Sequence, residues 1–169
     1  MNDGYLLDSN IFIQSHRFEY RFSFCSGFWE LLQILHQREI VFSIRAVKNE
    51  LLKNNDALSA WIRQLPESFF CDERDQETQS KYGYLMNWAY NNPQFTQNAK
   101  MKFASEHADP WLVAYAAAHH KKLITHESFD PNIKKSIKIP NAARVLNVQC
   151  VNMYDFLELF SNGTFDVKP

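Results

Sequence analysis

Short apolar runs alternating with amphipathic helical stripes decide what this chain can become. GYLLD (4–8), EIVFSI (39–44) and LIT (123–125) are bounded like buried strands. Between them, apolar residues recur at helical spacing: Phe28, Leu31, Leu32 and Leu35 within 22–38, then RAVKNELLKN (45–54) and DALSAWIRQL (56–65), which continues helically to Pro66. ESFFCD (67–72) reads as a short strand or an extended connection. Tyr82, Leu85, Met86 and Ala89 form a stripe within 73–90, weakly interrupted by Gly83 and stopped at Asn91-Asn92-Pro93. The clearest helix is HADPWLVAYAAAHH (107–120), for which the spacing predicts Asp109 at the N-cap and Pro110 at the first helical position, where its missing N–H costs nothing. KIPNAARVLNVQCV (138–151) is expected to supply a strand around Val145–Val151, and NMYDFLELFSNG (152–163) a closing helix ended by Gly163. Strands that alternate with helices in this way imply an α/β protein with a mainly parallel sheet covered on both faces.

The 169 residues, 46% of them hydrophobic, suit one substantial core, so a single domain spanning 1–169 is expected. VLNV and WLVAYAAA are far shorter than the roughly 20 apolar residues that cross a bilayer, and no basic and apolar leader starts the chain. The expectation is a soluble cytoplasmic protein with no membrane partner. Cys25, Cys71 and Cys150 are odd in number and widely spaced, which indicates buried reduced thiols and neither a disulfide framework nor a cysteine zinc site. With 18 basic against 19 acidic residues, the formal charge of −1 gives no general attraction to a polyanion, so any nucleic-acid binding must come from local patches.

Several chemistries are excluded outright. Glycine occurs only at 4, 27, 83 and 163, so neither a dinucleotide-binding G-x-G-x-x-G nor a phosphate-binding P-loop can be written. No nucleophile elbow or H-E-x-x-H helix occurs, and His16, His36, His107, His119, His120 and His126 show no recognised metal spacing.

What remains is a set of carboxylates at element boundaries. Asp8 ends the first strand, Asp109 opens the clearest helix, and Glu127 follows LIT. Glu50 lies about 60° from Val47 on a helical wheel, beside the apolar stripe instead of opposite it. Each has a structural reading: Asp8 or Asp109 as a helix cap, Glu50 as a snorkelling surface residue, Glu127 or Asp130 as loop charge. Topology adds another. If strands one and four are neighbours, Asp8, Asp109 and the residues after LIT converge beyond the carboxyl edge at the strand-order switch, where open α/β sheets bind ligands. Two carboxylate charges about 4 Å apart cost on the order of 4 kcal/mol at an effective dielectric of 20. Retained protons or a divalent cation must offset this, and oxygen-only ligands favour Mg²⁺ or Mn²⁺.

YLLDSNIFI, VKNEL, ADPWLVAYA and LITHE, in this order, resemble the four acidic motifs of the PIN (PilT N-terminal) domain nucleases across nearly the whole chain. The resemblance aligns Asp8 with that family's first-strand aspartate, Glu50 with its helical glutamate and Asp109 with the aspartate opening its later helix. Thr125 matches its small hydroxyl residue, and Glu127 stands where an aspartate is common; Asp130 competes for that fourth position. The resemblance implies a three-layer α/β/α Rossmann-like fold, bound Mg²⁺ or Mn²⁺, and hydrolysis of RNA (tRNA, rRNA or mRNA), with many single-domain bacterial members being toxins of type II toxin–antitoxin pairs. A cognate antitoxin and a homodimer are the protein partners it suggests, although the stretch 67–103 is longer than in the compact toxins.

In that frame Asp8 and Asp109 bind the principal metal, Glu50 holds it or orients its water, and Glu127 binds a second ion or the attacking water. Ser9, Asn10 and Thr125 are supporting residues. Lys121, Lys122, Lys134 and Lys135 are candidate phosphate contacts, with Arg17, His16 and Arg21 as further candidates near the first motif. Trp88, Tyr90 and Phe95 are candidate stacking platforms. The rival reading is a catalytically silent PIN-like scaffold that binds RNA or a protein. An aspartyl-phosphate enzyme fits less well, because LLDSN lacks the second aspartate of the haloacid dehalogenase pattern.

Overall fold

The computed structural model describes residues 4–105 and 108–168; His107 lies outside them. In chain order they form β1 (Tyr5–Leu7), α1 (Ser9–Arg17), α2 (Ser26–Gln37), β2 (Val41–Ile44), α3 (Arg45–Leu51) and α4 (Ala57–Gln64). A 3₁₀ turn (Glu67–Phe69) leads into β3 (Phe70–Cys71), followed by α5 (Gln76–Asn91), α6 (Gln97–Ser105) and α7 (Asp109–Ala118). The chain closes through β4 (Lys122–Ile124), α8 (Ile139–Val145), β5 (Cys150–Val151) and α9 (Met153–Phe160).

The strands form one sheet in the order β3-β2-β1-β4-β5, with every pairing parallel. The expected three-layer α/β/α architecture is therefore present, and its sheet is parallel throughout. Parallel strands need both faces covered, which is why Leu6, Leu7, Val41, Ile44, Leu123 and Ile124 are buried with no polar alternation beyond Ser43. Ser43 resolves its own burial by donating to the Leu7 carbonyl at 2.8 Å. Order reverses at β1, which feeds β2 on one side and pairs with β4 on the other. The register Leu7↔Ile124 sets Asp8 and Thr125 side by side just beyond the carboxyl ends, and the Asp8 N–H donates to the Ile124 carbonyl at 3.2 Å.

Sequence periodicity placed the longer helices well. Phe28, Leu31, Leu32 and Leu35 form the buried face of α2 as expected, yet that helix starts at Ser26 and not near Phe22. Phe22 instead stacks on Trp29 at 4.4 Å, while the Trp29 indole donates to the Tyr20 carbonyl at 2.6 Å, so the segment before α2 is a turn folded onto the helix. The helical run predicted through 45–65 is two helices. The first ends at Leu51, and Asp56 starts the next with a reciprocal cap, its carboxylate accepting from Ser59 N–H at 2.9 Å and its own N–H donating to Ser59 Oγ at 3.1 Å.

Other expectations are corrected. Residues 139–145, expected to lead into a strand from Val145, are helix α8, and the strand is confined to Cys150–Val151. Pro140 sits in the first turn, where its fixed φ suits a helix, and a short apolar run does not separate helix from strand by periodicity. Asp109 is the first helical residue of α7 and Ala108 the N-cap, so Pro110 stands at the second position. α9 stops at Phe160; Ser161 bridges back to Val167, and Gly163, at φ +80°, makes the turn between them. The three cysteines are free but only half-buried. Helices α5 and α6 take up most of the long 67–103 segment, after the 3₁₀ turn and β3, and the turn between them is tied to the loop after β4: Gln94 donates to the carbonyls of Pro131 (3.0 Å) and Ile133 (2.8 Å), and Thr96 N–H to that of Lys134 (2.9 Å). Among the described residues no helix is long and apolar enough to cross a membrane.

Candidate active site at the carboxyl edge of the sheet

Asp8 occupies the N-cap position of α1, but its carboxylate makes no full capping bond to that helix. It turns instead to two hydroxyls: Ser9 Oγ donates to Oδ1 at 3.3 Å, and Thr125 Oγ1 to Oδ2 at 3.1 Å. Its residue exposure is 0%. Burial, and next the negative charge of Glu127, push the Asp8 carboxyl up from 3.8 to about 7, against the opposing pull of the Thr125 bond, the nearby Asn10 N–H and Ser9. The cap reading thus accounts for the position of Asp8 and leaves its chemistry unexplained.

Thr125 ties the centre together. While donating to Asp8, the same hydroxyl accepts from the Glu127 N–H at 3.2 Å, which fixes the loop leaving β4. Glu127 Oε2 accepts from the Ile139 N–H at 2.7 Å, at the first residue of α8. Asp130, the competitor for the fourth position, is turned into its own loop: Oδ1 accepts from Asn132 N–H at 2.9 Å, while its backbone N–H and carbonyl pair with the Asn141 side chain. Of the two, Glu127 is the one whose charge reaches Asp8. Burial, followed by the charges of Glu127 and Asp8, raises the Cys150 thiol to about 11, which keeps it a neutral neighbour.

Glu50 reaches the opening of α7, the helix that Asp109 begins. Glu50 Oε1 accepts from the Ala108 N–H at 3.1 Å, satisfying the N-cap residue of the helix that Asp109 begins. The half-buried position expected of Glu50 beside Val47 and Leu51 is therefore found, and it carries a definite backbone contact. Because α7 runs back to the start of β4, its first residue lies at the carboxyl edge, the same edge as Asp8 and Thr125. Asp8, Ser9, Thr125 and Glu127 thus form one connected group, and Glu50 is anchored through the Ala108 N–H at the adjoining helix end, where Asp109 begins α7. Among the described residues no three His, Cys, Asp or Glu side chains are grouped closely enough to hold a metal ion as they stand.

Residues expected at the periphery divide. Asn10 has an exposed side chain at the start of α1. Lys134 and Lys135 are exposed on the loop that the α5–α6 turn holds. Lys121 and Lys122 lie at the opposite, amino edge of the sheet, with ammonium groups 5.4 Å from the Phe42 ring and 5.6 Å from the Tyr5 ring. They cannot touch a phosphate seated at Asp8, because they enter β4 from its far end. Phe95 is 5% exposed against Trp88 and belongs to the core, leaving Tyr90 exposed among the three aromatic candidates. His36 is a satisfied core histidine, with Nδ1 2.9 Å from the Val41 carbonyl and Nε2 3.0 Å from Ser68 Oγ. His119 pairs with Asp75 at 3.0 Å, at the N-cap of α5.

Replacing Thr125 by Val removes the donor to Asp8 and the acceptor for Glu127 N–H while keeping shape. A loss of about 1–3 kcal/mol in urea unfolding is expected, together with a further rise of the Asp8 pKa. Unchanged stability would show that the hydroxyl does not organise the centre.

A family model described as a domain of unknown function (DUF4411) matches residues 5–161. The chain belongs to the DUF4411 family. No curated protein and no solved structure matches it. The DUF4411 match begins at β1 and ends just after α9, so all four carboxylates and both hydroxyls fall within it.

Proposed function

We propose that this DUF4411 protein is a PIN-like, Mg²⁺- or Mn²⁺-dependent endoribonuclease. One observation carries the reading: a fully buried carboxylate, Asp8, held by two hydroxyls at the sheet's switch point, within the field of a second carboxylate, Glu127. None of the ion pairs among the described residues joins a lysine or arginine to either group. Once Asp8 gives up its proton above neutral pH, such a pair calls for a positive counterpart, and a divalent cation is the one that oxygen ligands select.

The donor set fits that ion. Magnesium is commonly held by one or two carboxylates, the remaining positions going to water and substrate phosphate, so a preformed cage of three carboxylates is not required. Asp8 and Asp109 are assigned as its protein ligands, with Glu50 and Glu127 acting on its water shell. When bound, the cation supplies charge stabilisation and an acidified water for phosphodiester hydrolysis. The chain's own residues do the rest. Ser9 and Thr125 hold the Asp8 carboxylate in one orientation and favour its ionised form. Thr125 and the Ile139 N–H fix Glu127 from both ends. Glu50 secures the first turn of α7 and with it the place of Asp109. In this reading the biological setting is the toxin half of a type II toxin–antitoxin pair acting on tRNA, rRNA or mRNA in the cytoplasm, with a cognate antitoxin and a second copy of the chain as candidate protein partners.

A silent scaffold is the second reading, favoured by the engagement of Glu50 and Glu127 with backbone N–H groups instead of each other. Metal linkage separates the two. At a Mn²⁺ concentration of one hundred times its Kd, a native-state ligand adds about 2.7 kcal/mol, which for a chain of this size is roughly 5–10 °C in Tm. That rise is expected in a thermal melt, and Glu50→Gln, which retains an oxygen for the Ala108 N–H, is expected to shrink it without altering the melt in chelator. Incubating the protein with total tRNA and rRNA, with Mg²⁺, Mn²⁺ or chelator, reads cleavage directly. Neither a Tm rise nor cut ends would leave the scaffold reading in place.

A further inference from the structure

Helix α3 carries Glu50, yet its own N-terminus offers no cap. The N-cap residue, Ile44, is a fully buried strand residue without a side-chain oxygen, so a protein cap has to come from elsewhere in the chain. It comes from the loop that leaves β3. Parallel pairing sets Ile44 beside Cys71, and the first residues of that loop lie alongside the start of α3. Glu73, only 9% exposed, accepts at Oε2 from the Arg45 N–H at 3.1 Å. A buried carboxylate on the first N–H of a helix holds it more firmly than the Arg45–Asp72 and Lys48–Glu67 ion pairs, whose partners reach solvent and are worth little.

Arg45 and Glu50 are separated by about 7.5 Å of helix, and buried Val47 and Leu51 seat that helix in the core. At its far end Glu50 Oε1 accepts from the Ala108 N–H at 3.1 Å. Helix α3 is thus a short strut. A carboxylate from the β3 loop holds its first residue, and a carboxylate of its own holds the residue before Asp109. The same loop reaches the other end of α7: Asp75 pairs with His119, the C-cap residue of that helix, at 3.0 Å. Residues 72–75 therefore grip α7 at both termini, the N-terminal one through α3. Close-packed interiors compress little, so a displacement at Arg45 is passed along the strut to Glu50.

We propose that Glu73 is a positioning residue for the acid centre: acting through α3, it sets Glu50 against the opening of α7 and so the place of Asp109. The proposal rests on the reading of Glu50 and Asp109 as groups around a divalent cation. Its test begins without the ion, as amide hydrogen exchange in chelator, read residue by residue. In Glu73→Ala the Arg45 N–H should lose protection by about tenfold or more, the effect of one hydrogen bond to a charged group. The Ala108 N–H should lose it by about threefold or more, the size of coupling carried between packed sites. Glu73→Gln, which keeps an oxygen for Arg45, should rescue both. Coupling is reciprocal, so Glu50→Ala should raise exchange at Arg45 by a similar factor, whether or not Glu73→Ala folds. Loss at Arg45 alone in Glu73→Ala, or no effect of Glu50→Ala on Arg45, overturns the proposal. A parallel loss across β4 and α9 would make Glu73 a general stabiliser and equally overturn it. With Mn²⁺ added, Glu73→Ala should bind the ion about tenfold or more weakly, as when a residue behind a metal's ligands is removed, and Glu73→Gln should rescue that too. Mn²⁺ affinity equal to wild type in Glu73→Ala refutes the positioning role. Coupled exchange in a wild-type protein that binds no Mn²⁺ would refute the nuclease reading and leave the strut in place.

Discussion

Asp8→Asn is expected to abolish RNA cleavage and, at the same time, to make the metal-free protein more stable above neutral pH. Both effects come from the same burial. The Asp8 carboxyl is raised from 3.8 to about 7 in the folded protein, so between those values the folded state holds a proton that the unfolded state has lost. Its contribution to stability is fully present below the unfolded pKa and is lost as pH rises through the folded pKa; the loss reaches about 4 kcal/mol. Asparagine does not ionise and pays no such penalty, yet it retains an oxygen for the Thr125 or Ser9 hydroxyl. The wild-type minus variant difference in unfolding free energy should therefore be near constant below pH 4, fall between pH 4 and 7, and level off above. Urea titrations in chelator at pH 4, 5.5 and 8 measure it. Equal pH dependence in the two proteins would mean that burial does not raise the Asp8 carboxyl, and full cleavage by the variant would remove it from the site.

The largest loss of stability is expected from Trp29→Ala, by about 3–5 kcal/mol. Trp29 is 2% exposed and packs on Phe22, on Phe28 edge-on at 5.2 Å, and on Trp61 at 4.8 Å, joining α2, α4 and the turn between α1 and α2. Truncation leaves a large cavity and also strips the Tyr20 carbonyl of its indole donor. With native stability typically 5–15 kcal/mol, that is a large fraction of the whole. Chemical denaturation should show the midpoint fall with little change in slope; a loss below 1 kcal/mol would mean that the aromatic cluster repacks around the gap. Because Phe12 of α1 packs on Trp61 of this cluster and Asp8 is the N-cap residue of α1, weakened RNA cleavage is expected to accompany the change.

Much of this molecule was legible in the linear chain. Periodicity located α2, α5, α7 and α9, since a buried face of Phe28, Leu31, Leu32 and Leu35 has one solution at 3.6 residues per turn. Strands β1, β2 and β4 were legible because short apolar runs between helices have few other uses. Residues 139–145 were not, because seven residues with Pro140 and two alanines fit either element until packing decides. The carboxylates could be picked out by their places at element ends, but their partners could not. Nothing in the local sequence says that Thr125 donates to Asp8 across 117 positions, or that Glu50 closes on Ala108.

By itself the sequence determined the alternation of strand and helix, the absence of phosphate-binding glycine loops, and which acidic residues stand at element ends. Only the tertiary structure decided the strand order that seats Asp8 beside Thr125, the turning of Asp130 away from the centre, and the assignment of Lys121 and Lys122 to the far edge. The physical reason is that periodicity and capping act within a few residues of chain. Burial, register and the mutual field of two carboxylates exist only once distant segments have been packed together.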